Sequence, residues 1–297
     1  NPPWEDSASL RKLARAVADQ VGSTSVRLQY DDSLFTGPGL APGWPGLFPA
    51  DGVVAPVRAL MVDVGRTRPG ALSRVQDPAR QAAEVFADLL RAEGVKVNAV
   101  RPGVASQGAT EIARVESAPM VDLVQRMLTE SDNDLAEALG HLVGKAAGYE
   151  ASFAGGAQAT MEVAKDLGLA TEGLQIVDAS GLSVENALQP STLVDVLTKV
   201  ATGADPRLGP IAAGLPVAGG TGTLADRYRE KSLRPAAGLL RAKTGTLTSV
   251  VALAGSVRDR DGRVLVFAFL AEKVPDIEAA RRTVDAMAAR LAECGCR

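Results

Sequence analysis

Apolar positions along the chain fall into three regimes. Residues 7–21 place Leu10, Leu13, Ala14, Val17 and Val21 on one face at helical spacing. Val26, Leu28 and Tyr30 then alternate as in a strand, and residues 31–50 form a Gly/Pro-rich loop carrying Phe35, Trp44 and Phe48. Residues 53–64 read as extended and apolar, broken by Pro56. A helix follows, with Asp77 as its cap, Pro78 in its first position and Gly94 at its end. Its buried face is Ala82, Ala83, Phe86, Leu89 and Leu90, and residues 95–100 make a short strand. This part therefore reads as a small α/β unit.

After about residue 113 the period changes. Met120, Leu123, Val124, Met127 and Leu128 define one helix, and Leu135, Leu139, Leu142 and Val143 the next. A third runs from about 156 to 167 and stops at Gly168. Residues 238–246, 250–258 and 263–272 read as strands, with Asp261-Gly262 turning the last two into an antiparallel hairpin. The closing helix follows Pro275 and turns Ile277, Ala280, Val284, Met287 and Leu291 inward. The expected body is thus helices packed on an antiparallel sheet.

Composition narrows the chemistry. The 297 residues are 46% hydrophobic, enough for a sizeable core. A net charge of −3 argues against nucleic acid as a partner. No apolar run is long enough to span a bilayer. The single histidine, His141, excludes His-Glu-x-x-His zinc sites and limits any Ser-His-Asp triad to one residue. Cys294 and Cys296, the two cysteines, are too few for a four-cysteine zinc site; they suit a mutual disulfide, a link elsewhere, or a free tail. Any hydrolytic chemistry would have to run on Ser, Lys, Tyr or carboxylates.

Two short motifs supply such groups. Ser131-Asp132-Asn133 lies between two helices, where a loop presents side chains to a cleft. Lys243-Thr244-Gly245-Thr246 lies on a strand. A lysine biases the proton of a nearby hydroxyl and attracts a carboxylate, two threonine hydroxyls hold that carboxylate, and the glycine allows close approach. The amide of Asn133 holds a peptide bond from both ends. Separately each has an ordinary explanation: Ser131 with Asp134 fits a helix capping box, and Lys-Thr-Gly a surface turn. Together, in this order, they resemble the Ser-Asp-Asn and Lys-Thr-Gly pair of class A β-lactamases and penicillin-binding proteins.

Further stretches make the resemblance specific. Val53 through Ala55-Pro56-Val57 to Gly65, Ile112 to Glu137 with Ser117-Ala118-Pro119-Met120, Asp178-Ala179-Ser180-Gly181-Leu182-Ser183, and Gly222-Thr223-Leu224 resemble class C low-molecular-mass penicillin-binding proteins, the D-alanyl-D-alanine carboxypeptidase/endopeptidase family. The last two stretches also fit ordinary turns. The resemblance implies an α+β transpeptidase-like fold, an antiparallel sheet flanked by helices. Residues 1–113 would belong to an inserted accessory α/β domain and 114–297 to the catalytic domain. It implies a serine-type D-Ala-D-Ala carboxypeptidase, with endopeptidase action as an accompanying option, that trims peptidoglycan stem peptides outside the cytoplasmic membrane, is inhibited by β-lactams and uses no metal or organic cofactor. Catalytic roles fall to Ser131, Asn133 and Lys243, and substrate binding to Thr244, Gly245 and Thr246. The rival readings are a β-lactamase or esterase of the same fold and a non-catalytic peptidoglycan-binding relative.

The family's nucleophile is the serine of a Ser-x-x-Lys motif. Ser9-Leu10-Arg11-Lys12 has that spacing, but Ser7 or Ser9 reads better as a helix cap. The resemblance starts inside the accessory domain. The expectation is therefore an N-terminal segment of the same protein, omitted or nicked, carrying the nucleophile, a helix and two sheet strands. A catalytically dead relative is the alternative. Without those strands a sheet edge and an apolar face near Val251, Leu253, Val264 and Val266 are expected to lie exposed.

Overall fold

The structure, a computed structural model, describes residues 8–295. Ser7 and Cys296 lie outside the described residues, and with them the cap reading of Ser7 and the pairing of Cys294 with Cys296. In chain order the elements are α1 (Leu10–Val21), β1 (Ser25–Tyr30), α2 (Phe48–Asp51), α3 (Pro78–Ala92), β2 (Lys96–Pro102), α4 (Met120–Glu130), α5 (Asn133–Ala146), α6 (Phe153–Asp166), α7 (Pro190–Thr202), α8 (Gly209–Gly214), β3 (Leu240–Leu247), β4 (Val250–Arg258), β5 (Val264–Glu272) and α9 (Ile277–Ala292). Among the described residues no helix is long and apolar enough to cross a membrane.

Two compact units emerge, and each is built from several chain segments. Of the described residues, the first comprises 8–119, 133–160 and 177–185; the second comprises 120–132, 161–176 and 186–295. A division at residue 113 follows chain order, whereas packing joins α5 and the 177–185 loop to the N-terminal part.

In the first unit β1 and β2 pair in parallel, joined by a crossover through α3. Asp77 caps α3 by accepting from the Arg80 N–H at 3.0 Å, and Pro78 follows at a position whose missing N–H costs nothing. Ala14, Leu90 and Val95 form a small core with Val17, Val26, Phe86, Leu89 and Val97 around it. Ser9 is the N-cap of α1, accepting from the Lys12 N–H at 3.1 Å. Residues 53–64, expected to be extended, join no ladder: the chain bends at Val53, Ala59, Leu60 and Val62 and turns as a 3-10 helix at Asp63–Gly65. Pro56 has no N–H to give a ladder, and the neighbouring groups bond elsewhere: Ala55 N–H to Asp134 and Val57 N–H to Gly39 O.

In the second unit β3, β4 and β5 form an antiparallel sheet in that order, in continuous register. Both faces are covered. Leu240, Ala242, Val251, Leu253, Val257 and Phe267 pack with Val284, Ala288, Ala289 and Ala292 of α9. Ala254, Val266 and Ala268 pack with Leu193, Val196 and Leu197 of α7. This corrects the expected exposed face: Val251 and Leu253 are 1% and 0% exposed, and of the residues named only Val264 is open, at 51%. Val251 and Leu253 lie on the face that α9 covers, and Val266 lies on the opposite face against α7, a helix not anticipated in the sequence reading although Pro190 opens it and Gly203 caps it. Met287, expected inward, is 46% exposed because α9 buries its Val284/Ala288/Ala292 stripe instead.

Candidate active site

Ser131 occupies an unusual backbone position. It follows the last residue of α4 with φ +54°, in the left-handed region. The Asp132 N–H reaches back to Met127 O at 3.1 Å, which makes the pair a Schellman-type helix end. That position ordinarily takes glycine, and a side chain there costs on the order of 1 kcal/mol. The strained serine is held by its surroundings. Thr129 Oγ1 donates to Gly214 O at 2.8 Å, and Arg126 pairs with Asp132 at 3.3 Å.

Lys243 lies in the middle of β3 and reaches this serine. Its Nζ donates to Ser131 Oγ at 2.7 Å and to Thr244 O at 2.8 Å. Burial lowers its pKa to about 8, because an ammonium group removed from water is disfavoured. Among the described residues no carboxylate pairs with it. A part-buried cation with only hydroxyl and carbonyl partners is a natural seat for an anion.

The edge of β3 supplies donors. At its start the strand is paired on its outer side: Ala242 N–H donates to Pro216 O, and Ala218 N–H to Leu240 O, both at 3.0 Å. The two-residue period of a strand then points the Thr244 and Thr246 N–H groups to that same outer side, beyond the reach of the 216–218 segment. Gly245 lies close over β4, where an added Cβ would meet that of Ala252 at 3.2 Å.

A turn that sequence reading gave no chemical role also arrives here. Thr244 Oγ1 donates to Thr223 Oγ1 at 2.9 Å. Gly222-Thr223-Leu224 was visible as a motif but is equally consistent with plain turn chemistry, so nothing local marked Thr223.

Of the expected residues, the structure brings Ser131, Lys243 and Thr244 into one constellation within the second unit. Asn133 opens α5 in the first unit, and its Nδ2 donates to Val53 O at 3.0 Å. Asp134 Oδ1 accepts the Ala55 N–H at 2.7 Å. His141 is buried in an aromatic cluster, with Phe35 and Phe153 each 4.8 Å away between ring centroids, and its Nδ1 bonds the Glu137 carbonyl at 2.9 Å. Burial lowers its pKa. That is the setting of a packed neutral imidazole.

A serine in a strained helix end bonded to a lysine on an antiparallel sheet, with α9 across one face, defines a penicillin-binding type of fold. The same fold is found in the crystal structure of penicillin binding protein 4 from Haemophilus influenzae, with a TM-score of 0.80 and 21% identity over 96% of this chain and 79% of that one. Residues 67–294 match the D-Ala-D-Ala carboxypeptidase 3 (S13) family, and the chain belongs to that family. Among curated relatives, carboxypeptidase DacB of Mycolicibacterium smegmatis is 41% identical over 94% of this chain, and a carboxypeptidase of Mycobacterium tuberculosis is 39% identical over 99%. The chain spans 61% and 64% of the length of these two proteins.

Proposed function

We propose that this chain is part of a serine-type D-Ala-D-Ala carboxypeptidase with allied endopeptidase action on peptidoglycan stem peptides. The observation that carries the reading is the 2.7 Å Lys243–Ser131 bond at the edge of the sheet, in a chain of this family. The acylated serine is the one in the family's Ser-x-x-Lys motif, supplied by an N-terminal segment of the same protein. Within this chain the only such spacing is used as the α1 cap.

The penultimate D-Ala carbonyl acylates that serine and the C–N bond to the terminal D-Ala breaks. Ser131 passes a proton to the leaving amine, and water then releases the acyl group. Lys243 polarises Ser131 and, with the Thr244 and Thr246 hydroxyls, holds the terminal carboxylate. The Thr246 N–H contributes half of the oxyanion hole. The family resemblance assigns Asn133 to the donor peptide, and its Nδ2 donates to Val53 O. β-Lactams acylate the same serine, and the site of action lies outside the cytoplasmic membrane.

The test is to incubate full-length protein with fluorescent penicillin and, separately, with an acyl-D-Ala-D-Ala peptide. A covalent label and released D-Ala are expected. Peptidoglycan binding with neither signal would establish a non-catalytic relative instead. Rapid release of hydrolysed penicillin would establish a β-lactamase.

The pH profile provides a second check. Carboxylate binding and proton donation both need Lys243 charged, and its pKa lies at about 8 in the free protein. The expected kcat/KM for the peptide falls as pH rises through about 8, approaching tenfold per pH unit beyond it. A profile flat to pH 10 would remove Lys243 from the charged role.

A further inference from the structure

Thr223 lies outside both motifs, yet the molecule invests heavily in where its hydroxyl sits. Gly222 has φ +53°, and a Cβ at that position would lie 2.1 Å from Thr129 O, in the last turn of the helix that delivers Ser131. Only glycine lets the turn approach so closely. Leu224 is fully buried in the α9 core. Downstream, Arg227 donates through Nε to Asp285 of α9 at 3.0 Å. The turn is therefore pinned on α4 and on α9, while Thr223 itself stays exposed at the surface.

Its one hydroxyl partner is Thr244, the residue after Lys243. Each threonine hydroxyl has one proton and two lone pairs. In this hydrogen bond the Thr244 proton is spent on Thr223. When an anion sits before Lys243, the Thr244 proton is free to turn to it if Thr223 reverses and donates to Thr244 Oγ1. The two hydroxyls then form a chain ending on the anion, and each bond in such a chain strengthens the next.

We infer that Thr223 is a positioning residue for the substrate carboxylate, acting through Thr244 to aim and polarise the hydroxyl that binds it. This rests on the carboxypeptidase reading and deepens it. The recognised group is a carboxylate at the end of a peptide or on a β-lactam.

Full-length Thr223→Val keeps the side-chain shape and removes the hydroxyl. A hydrogen bond serving a charged group is worth about tenfold or more in affinity. The expected result for an acyl-D-Ala-D-Ala peptide is a KM raised about tenfold with kcat changed less than about threefold. Thr223→Ser is expected to restore KM, since it returns the hydroxyl. In a Thr244→Val background, Thr223→Val should add almost nothing, because its effect runs through the Thr244 hydroxyl. A structural role would give independent losses that multiply. The inference is overturned if Thr223→Val matches wild type, if serine fails to rescue, or if the two losses multiply. If wild type itself neither releases D-Ala nor takes a penicillin label, the carboxypeptidase reading falls and takes this inference with it. An active wild type with an indifferent Thr223→Val sinks the inference alone.

Discussion

Lys243→Ala in the full-length protein is expected to cut acylation by D-Ala-D-Ala peptides and by penicillin together, by roughly a hundredfold or more. Among the described residues the lysine is the only donor seen on Ser131 Oγ, and it is the cation beside the donors on the β3 edge. Its removal strips the proton relay of its polarising partner and the carboxylate of its counter-charge. The charge acts most where the leaving amine takes its proton, so the acylation rate should fall more than ground-state binding. The fold should tolerate the change. Burial already disfavours the ammonium, which is why its pKa drops to about 8, and alanine leaves no buried charge behind. A melting temperature equal to or above wild type is therefore expected beside the lost rate. Arginine should not rescue, because its planar fork does not fit where a single Nζ meets Ser131 Oγ and Thr244 O. Acylation at the wild-type rate, followed by stopped-flow with fluorescent penicillin, would remove Lys243 from the acylation machinery.

Local signals made some of this legible. Asp77 before Pro78 marked the start of α3, and Asp261-Gly262 marked the β4–β5 hairpin. Ser131 and Lys243 could be named because each sits in a motif of fixed spacing. Contacts distant in sequence erased other signals. Leu142 and Val143 were expected inside but are 38% and 42% exposed, whereas Glu137 and His141 of the same helix are 1% and 2% exposed. A hydrophobic count cannot foresee a buried glutamate, because what permits its burial is a set of N–H donors some forty residues downstream. Thr223 was hidden for a similar reason. Its meaning depends on Thr129 and Thr244, and neither is its neighbour in sequence.

That buried glutamate carries the second large expectation. Glu137 accepts from the Ala179 N–H at 3.2 Å with each oxygen and from the Ser180 N–H at 2.8 Å. It thereby fastens the 178–183 loop onto α5, the helix that begins with Asn133. Burial, helped by the nearby Asp178 charge, pushes its pKa up from 4.5 to about 7 against the pull of those N–H donors. For an acid whose pKa rises on folding, the unfolded chain loses its proton first. Stability is then unaffected below about pH 4.5 and falls as pH rises to about 7, by about 3 kcal/mol in all. His141 works in the opposite sense: its pKa is lowered by burial, so its contribution is present above its ordinary value near 6.5 and lost as pH falls. The wild-type profile mixes the two, and Glu137→Gln separates them. Glutamine keeps an acceptor oxygen for the loop and carries no charge. The variant should match wild type at pH 4.5 and exceed it by about 3 kcal/mol at pH 8. Amide exchange at Ala179 and Ser180, compared between the two proteins at each pH, reads the loop directly. It should be slower in the variant at pH 8 and equal at pH 4.5. A constant difference across that range would mean that Glu137 keeps one charge state throughout and that the loop is held by geometry alone.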